Sequence, residues 1–191
     1  MRIIAGTARG RRIEAPEGRN TRPTLDRIRE NLFNILQTRI RGSAVLDLFA
    51  GSGALSFEAV SRGASKAVLC DNDRSANRTE RKNAESLGFE EQTEIYCCDW
   101  KSAVRNLKQR NERFDLIFLD PPYRMTDLRE LSVHLEPLIA EDGLVIVEHE
   151  AKKAVEFGNG FAKTDERSWG FCGISFFRKT DGSPADTEAE E

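Results

Sequence analysis

Residues 44–53 read Ala44-Val45-Leu46-Asp47-Leu48-Phe49-Ala50-Gly51-Ser52-Gly53: a short apolar run with an acid inside it, ending in a turn that holds two glycines. The run is short for a helix and too apolar for a surface loop, so it predicts a buried strand. Gly51 and Gly53 permit a tight turn, and a helical stretch follows to about Arg62. A strand, a glycine turn and a helix in that order predict an open α/β sheet. Ligands of such sheets sit beyond the carboxyl ends of the strands, against the helix N-terminus.

The same rhythm repeats downstream. Residues 66–70 (KAVLC) predict a second strand and 74–87 a charged amphipathic helix closed by Gly88. Strand 93–97, helix 101–110, strand 114–119, helix 126–139 and strand 143–148 follow. Short apolar runs separated by helices predict right-handed βαβ units and a mostly parallel, buried sheet. After Glu150 the pattern changes. Residues 151–157 read as one more helix, and 161–168 and 171–178 as two strands joined by Trp169-Gly170. Strands that close together must run antiparallel, because a parallel return needs a crossover.

Upstream, residues 2–5 and 11–15 flank GTARG and suggest a β-hairpin. Pro23 keeps Arg22 out of the helical region, Thr24 serves as N-cap, and Asp26 favourably meets the helix dipole. Leu25, Ile28, Leu32 and Leu36 then recur at helical spacing. The chain therefore divides into a hairpin-and-helix extension at 1–41, an α/β domain at 42–179, and a tail at 180–191. That tail (TDGSPADTEAEE) carries five acids and no base and reads as disordered.

Charge follows the same division. Net charge over 191 residues is only −3, yet residues 1–41 hold ten arginines against four acids, a local +6. The remainder holds 19 basic against 28 acidic side chains, −9. A basic segment on an acidic protein is the footprint of a phosphate-contacting element; the rival reading is a solvated basic hairpin without a partner. No apolar run approaches the ~18 residues a membrane helix needs. MRIIAGTARG has no apolar stretch of signal-peptide length, so a cytoplasmic protein is expected; separately, a monomer is the expected state. Four cysteines without a C-x-x-C pair and only two histidines argue against a zinc site and a disulfide framework. The cysteines read as small buried residues. His149 and Glu150 lack an H-E-x-x-H context and read as surface residues, and His134 as an ordinary helical position, so no metal is expected.

Four acids carry the chemical signal. Asp47 stands four residues before Gly51, and Ser56 replaces the third glycine of a dinucleotide fingerprint. A buried acid there would repel a pyrophosphate but attract the ammonium of a methionine moiety. Asp71 closes the second strand, where a carboxylate can accept both hydroxyls of a ribose or simply cap a helix. Asp99, after Ile95-Tyr96-Cys97-Cys98, suits an acceptor for an adenine amino group and equally well an N-cap.

The deciding motif is Asp120-Pro121-Pro122-Tyr123, directly after Phe114–Leu119. An exocyclic amine on a nucleobase is a poor nucleophile, because its lone pair is delocalised into the ring. A carboxylate and a backbone carbonyl together can hold both amine hydrogens and draw the nitrogen toward sp³. The lone pair then points at an incoming methyl. Pro121 and Pro122 stiffen the turn and bring no competing N–H. Tyr123 offers a face for a flipped base, worth ~1–3 kcal/mol in single-strand binders. The rival is a proline-rich turn with an incidental tyrosine. These residues together predict direct methyl transfer from S-adenosylmethionine to a base amine, without metal or covalent enzyme intermediate.

With these motifs the chain resembles the bacterial 16S ribosomal RNA guanine-N2-methyltransferases of the small-subunit methyltransferase D type, over roughly residues 1–179. Arg2-Ile3-Ile4-Ala5-Gly6, Arg9-Gly10-Arg11, Arg22-Pro23-Thr24 with Asp26, Arg29-Glu30 and Leu32-Phe33-Asn34 match that family's opening in order and spacing. The resemblance implies a Rossmann-like class I methyltransferase domain with a seven-stranded sheet, an antiparallel C-terminal hairpin and an N-terminal extension. It implies a guanine of 16S rRNA, naked or in a partly assembled small subunit, as substrate. Asp47, Gly51, Gly53, Asp71 and Asp99 would then bind the cofactor. Asp120, Pro121 and Tyr123 would hold the guanine, with Pro122 beside it, and Arg9, Arg11, Arg12 and Arg22 would meet RNA phosphates. Arg22, Thr24 and Arg29 have a second reading, as ties between extension and domain. The family's usual Glu on the second strand is Asp71 here, and the segment from Trp169 to Phe177 matches it loosely. A DNA adenine-N6 or cytosine-N4 amino-methyltransferase is the nearest rival, and lacks a use for the arginine-rich opening. A non-catalytic RNA-binding protein is a further one, which the intact Asp120 motif argues against.

Overall fold

A computed structural model describes residues 1–16, 23–122, 125, 127–158 and 160–180, the side chains of 23–25 excepted. Arg22, Tyr123 and the tail beyond residue 180 lie outside the described residues. In chain order the elements are α1 (Pro23–Ile35), α2 (Gln37–Ile40), β1 (Ala44–Asp47), α3 (Ala54–Ser61), β2 (Lys66–Asp71), α4 (Arg74–Leu87) and a 3₁₀ turn (Glu90–Gln92). They continue with β3 (Thr93–Cys97), α5 (Trp100–Gln109), β4 (Phe114–Leu119), α6 (Arg129–Leu135), β5 (Ile139–Glu150), β6 (Phe161–Trp169) and β7 (Cys172–Lys179).

The seven strands form one sheet in the order β3-β2-β1-β4-β5-β7-β6. The first five are parallel, and β7 inserts antiparallel between β5 and β6. Chain order reverses between β1 and β4, so their carboxyl ends diverge into a crevice. Alternation along the strands splits the core. Val45, Leu69, Leu116, Phe118 and Ile146 face the extension, α1 and α3. Leu46, Val68, Ile117, Leu119 and Val147 face α5 and α6.

Several boundaries differ from the sequence reading. The helix expected at 126–139 is only Arg129–Leu135, and β5 starts at Ile139, with its register shifting past Phe114 of β4. No helix forms over 151–157: Asp127 bridges Glu156, and Phe157 stacks on Phe177 at 4.4 Å. The chain turns at 151–153, where the Lys153 N–H donates to the Glu150 carbonyl at 2.9 Å, and then passes beyond β7 to start β6. The helix placed after Thr24 starts at Pro23, a favoured first helical residue, so Thr24 lies within the first turn. The expected hairpin is reduced to one bridge, Arg2 with Arg12, flanked by Ile3 N–H to Arg11 carbonyl at 3.0 Å and Ile13 N–H to Met1 carbonyl at 3.0 Å. Cys97 is exposed rather than buried, because β3 is an edge strand. His149 is buried rather than on the surface, its Nε2 2.9 Å from Ser175 Oγ on β7.

Polar side chains of α3 hold the extension in place. Glu58 is fully buried and accepts the Ile4 and Ala5 N–H groups at 2.8 and 3.0 Å and Arg62 Nε at 2.7 Å. Arg29, 5% exposed, lies 3.9 Å from the same carboxylate and 3.2 Å from Asp26. Its tie reading is therefore the observed one. Ser61 Oγ accepts the Ala8 N–H and donates to the Ala5 carbonyl. Gly6 makes this approach possible: it has φ +85°, and a Cβ there would sit 1.8 Å from the Ser61 carbonyl oxygen. Removing one partner from such a buried network costs ~3–5 kcal/mol. Glu58→Ala is expected to lower Tm by roughly 10 °C and to open residues 1–16 to protease. An unchanged digestion pattern would show that the extension is held elsewhere. No helix among the described residues is long and apolar enough to cross a membrane.

Candidate active site

The crevice at the carboxyl ends of β1, β2 and β4 is a cavity of about 680 Å³, within the usual range for a small-molecule site. Asp47, Gly51, Asp71, Asp99, Asp120, Pro121 and Pro122 all line it, together with Met1 and Pro16 of the extension and Arg29 of α1. Seven of the residues singled out in sequence thus converge on one chamber. Gly53 lies beneath it: with φ +76°, its missing Cβ would meet Phe57 at 2.3 Å. Its role is to let the turn pack on α3.

Asp47 ends β1 with 1% of its surface exposed. Ser56 Oγ donates to its Oδ2 at 3.1 Å, while Oδ1 has no partner among the described residues. Burial pushes its carboxyl up to about 7 against the bonds from Ser56 and the Phe49 backbone. An unpartnered buried acceptor that lines a cavity calls for a cationic donor there. The ammonium of S-adenosylmethionine fits that requirement. Asp71 accepts the Gly51 N–H at 2.9 Å and the Asp73 N–H at 2.9 Å, so it fastens the glycine turn to the second strand. Each carboxylate oxygen keeps a second lone pair for a ligand hydroxyl.

Asp99 does what its rival reading expected. It caps α5, receiving Ser102 N–H at 3.0 Å and Ser102 Oγ at 2.8 Å, bonds that hold its carboxyl low. It nevertheless faces the chamber. Asp120 stands at the exposed lip, one residue past β4, with Pro121 buried behind it. Tyr123 falls outside the described residues. A deep acid at β1 and an exposed one at β4 thus mark the two ends of a single chamber.

The arginines separate. Arg11 donates to the Leu87 carbonyl at 2.9 Å and to the Ser86 carbonyl, occupying the C-terminal end of α4, where a cation also meets the helix dipole favourably. Two of its guanidinium N–H groups are thus engaged within the chain, while the residue as a whole stays exposed. Arg9 and Arg12 are exposed and make no ion pair among the described residues. Arg22 lies outside them.

Three residues escaped the sequence reading. Asn83 of α4 donates to the carbonyls of Ser52 at 2.9 Å and Glu14 at 3.0 Å and accepts the Glu14 N–H, joining glycine turn and extension. Glu80, fully buried on the same helix, is pushed up to about 8 by burial and by Asp71 and Asp47. Both sit on the i, i+3 face toward the sheet, the one signal that marked them. Glu148, at the end of β5, lines the chamber beside Asp120. The β6–β7 turn, with Phe171 88% exposed, lies at the same end of the sheet, since Cys172 pairs with Glu150.

Fold and site together define a class I S-adenosylmethionine-dependent methyltransferase. The model of one family, described as Conserved hypothetical protein 95, matches residues 1–178, and the chain belongs to that family. It is similar to the Ribosomal RNA small subunit methyltransferase D of Escherichia coli strain K12, 37% identical over 81% of this chain and 77% of that protein. It is likewise similar to the protein of the same name from Haemophilus influenzae, 34% identical over 93% of each. The solved structure of the Escherichia coli protein yhhF matches with a TM-score of 0.78 at 34% identity, covering 94% of this chain and 97% of that one.

Proposed function

We propose that this chain transfers the methyl of S-adenosylmethionine to the exocyclic N2 amine of a guanine in small-subunit (16S) ribosomal RNA, acting in the cytoplasm as a monomer. One observation carries the reading. The chamber that contains a buried carboxylate at its floor, one of whose oxygens has no partner among the described residues, has the Asp120-Pro121-Pro122 turn at its lip. Asp47, the Gly51 turn, Asp71 and Asp99 would hold the cofactor, which supplies an electrophilic sulfonium methyl. The chain's own residues do the rest. The Asp120 carboxylate and the Pro121 carbonyl take the two amine hydrogens, and the bond to Asp120 leaves it placed to receive the proton released as the amine is alkylated. Pro122 and Tyr123 border the ring. Alignment, rather than activation of a nucleophile, is the protein's contribution.

The RNA assignment rests on the named relatives and on the basic extension. We assign residues 1–41 to RNA contact and 42–179 to catalysis, with Arg9, Arg12 and Arg22 meeting phosphates. Each phosphate contact adds ~0.7–0.9 to the salt slope of binding. Arg9→Ala with Arg12→Ala is expected to flatten that slope by about 1.5 in filter-binding titrations with small-subunit RNA. A slope unchanged from wild type would make both arginines solvated bystanders. Labelled methyl transfer to small subunits lacking the modification, followed by nucleoside analysis, tests the reaction itself. N2-methylguanosine is expected. Labelled N6-methyladenosine or N4-methylcytosine, or transfer to DNA only, would overturn it.

A further inference from the structure

Parallel register places two carboxylates side by side at the lip. Leu119 of β4 pairs with Val147 of β5 on strands about 4.8 Å apart, and Asp120 and Glu148 are the residues that directly follow this pair. Both line the chamber. Glu148 is half-buried, forms no ion pair among the described residues, and lies across from Ile174 of β7. The Cys172 thiol, which donates to the Gly173 carbonyl at 3.8 Å, lies on the neighbouring strand β7. Burial, then the charge of Glu148 and, less, that of Asp120 push this thiol upward. The strand end is rigid: His149 is locked between Ser175 Oγ and the Glu150 carbonyl and packs on Gly173, where a Cβ would lie 2.6 Å from its ring.

We propose that Glu148 is a specificity-determining residue that accepts the N1–H of guanine while Asp120 and the Pro121 carbonyl hold the neighbouring N2 amine. This rests on the guanine-N2 reading above. Guanine presents donors at both adjacent positions, N1–H and N2–H₂. Adenine presents a ring acceptor, N1, beside its N6 amine, and cytosine presents N3 beside its N4 amine. A carboxylate next to the amine-holding turn attracts the first pattern and opposes the lone pair of the other two. A turn that grips any base amine thereby acquires a preference for one base.

The experiment compares guanine with 2-aminopurine, which keeps the N2 amine but carries a lone pair at N1. Nucleoside analysis and mapping of the labelled small-subunit product first locate the acceptor. RNA carrying guanine or 2-aminopurine at that position is then offered in whichever form, naked or assembled, the unsubstituted substrate is methylated. Wild type is expected to lose about 10- to 100-fold in kcat/KM on 2-aminopurine. Glu148→Gln, whose carboxamide can donate to a ring nitrogen, is expected to narrow that ratio several-fold with S-adenosylmethionine affinity unchanged. The loss of O6 in 2-aminopurine affects both enzymes alike, so the change in ratio isolates the N1 contact. Equal use of both bases by wild type, or an unaltered ratio in the variant, overturns the role of Glu148 alone. A mapped product other than N2-methylguanosine overturns the guanine reading and this inference with it.

Discussion

Asp120→Ala is expected to lower kcat for methyl transfer by about 10²- to 10⁴-fold, the range for losing a proton acceptor or a charge-stabilising group at a reacting centre. Affinity for S-adenosylmethionine, read by calorimetry, is expected to stay within severalfold. The separation follows from position. Asp120 is exposed at the lip, one residue past the end of β4, whereas the buried acceptor at the floor belongs to β1. Asp120→Asn keeps one acceptor oxygen and is expected to fall between alanine and wild type. Collapse of cofactor affinity in the alanine variant would move Asp120 from the substrate to the cofactor and dissolve the assignment.

Asp47→Asn is expected to weaken S-adenosylmethionine binding by 100-fold or more and, at pH 8, to raise the Tm of the cofactor-free protein. A carboxyl whose ordinary value is 3.8 and which sits at about 7 in the folded chain costs on the order of 4 kcal/mol when ionised in place. The folded state holds this proton more tightly than the unfolded one does. The stabilisation is therefore complete below about pH 4 and is lost as pH rises through 7. Glu80, raised from 4.5 to about 8, adds a second loss of the same sign. The cofactor-free wild type should thus melt at falling temperature from pH 5 to pH 8, and the asparagine variant should fall less. Added S-adenosylmethionine should raise wild-type Tm most at the alkaline end, where Asp47 is charged. Equal pH profiles for the two proteins would show that Asp47 is not the titrating group.

Local chemistry made the centre of the sheet legible. The glycine turn after Asp47, the apolar runs of β1 to β4 and the proline turn after Leu119 each need only a few neighbouring residues to be read. The chamber that gathers Asp47, Asp71 and Asp120 follows from parallel topology, because Asp47 and Asp71 end strands and Asp120 directly follows one. What stayed hidden depends on distant partners. Glu58 looks like an ordinary helical acid until Ile4 and Ala5, 54 and 53 residues away in sequence, donate to it. Arg11 looks like a free cation until the end of α4 is seen beneath it. The failed helix at 151–157 and the buried His149 share a cause: β7 inserts next to β5, and no local pattern announces a strand that enters from later in the chain. Asp99 shows the opposite limit, since both readings of it were legible and only coordinates show the capping bonds.

The anchoring of the basic segment has an evolutionary and practical consequence. Its backbone is bonded by side chains from two different helices, Glu58 and Ser61 on one and Asn83 on the other. It is therefore not a portable tag. A chimaera that grafts residues 1–16 onto another catalytic domain inherits its arginines but not its posture, unless the acceptor already carries those three polar residues at matching places.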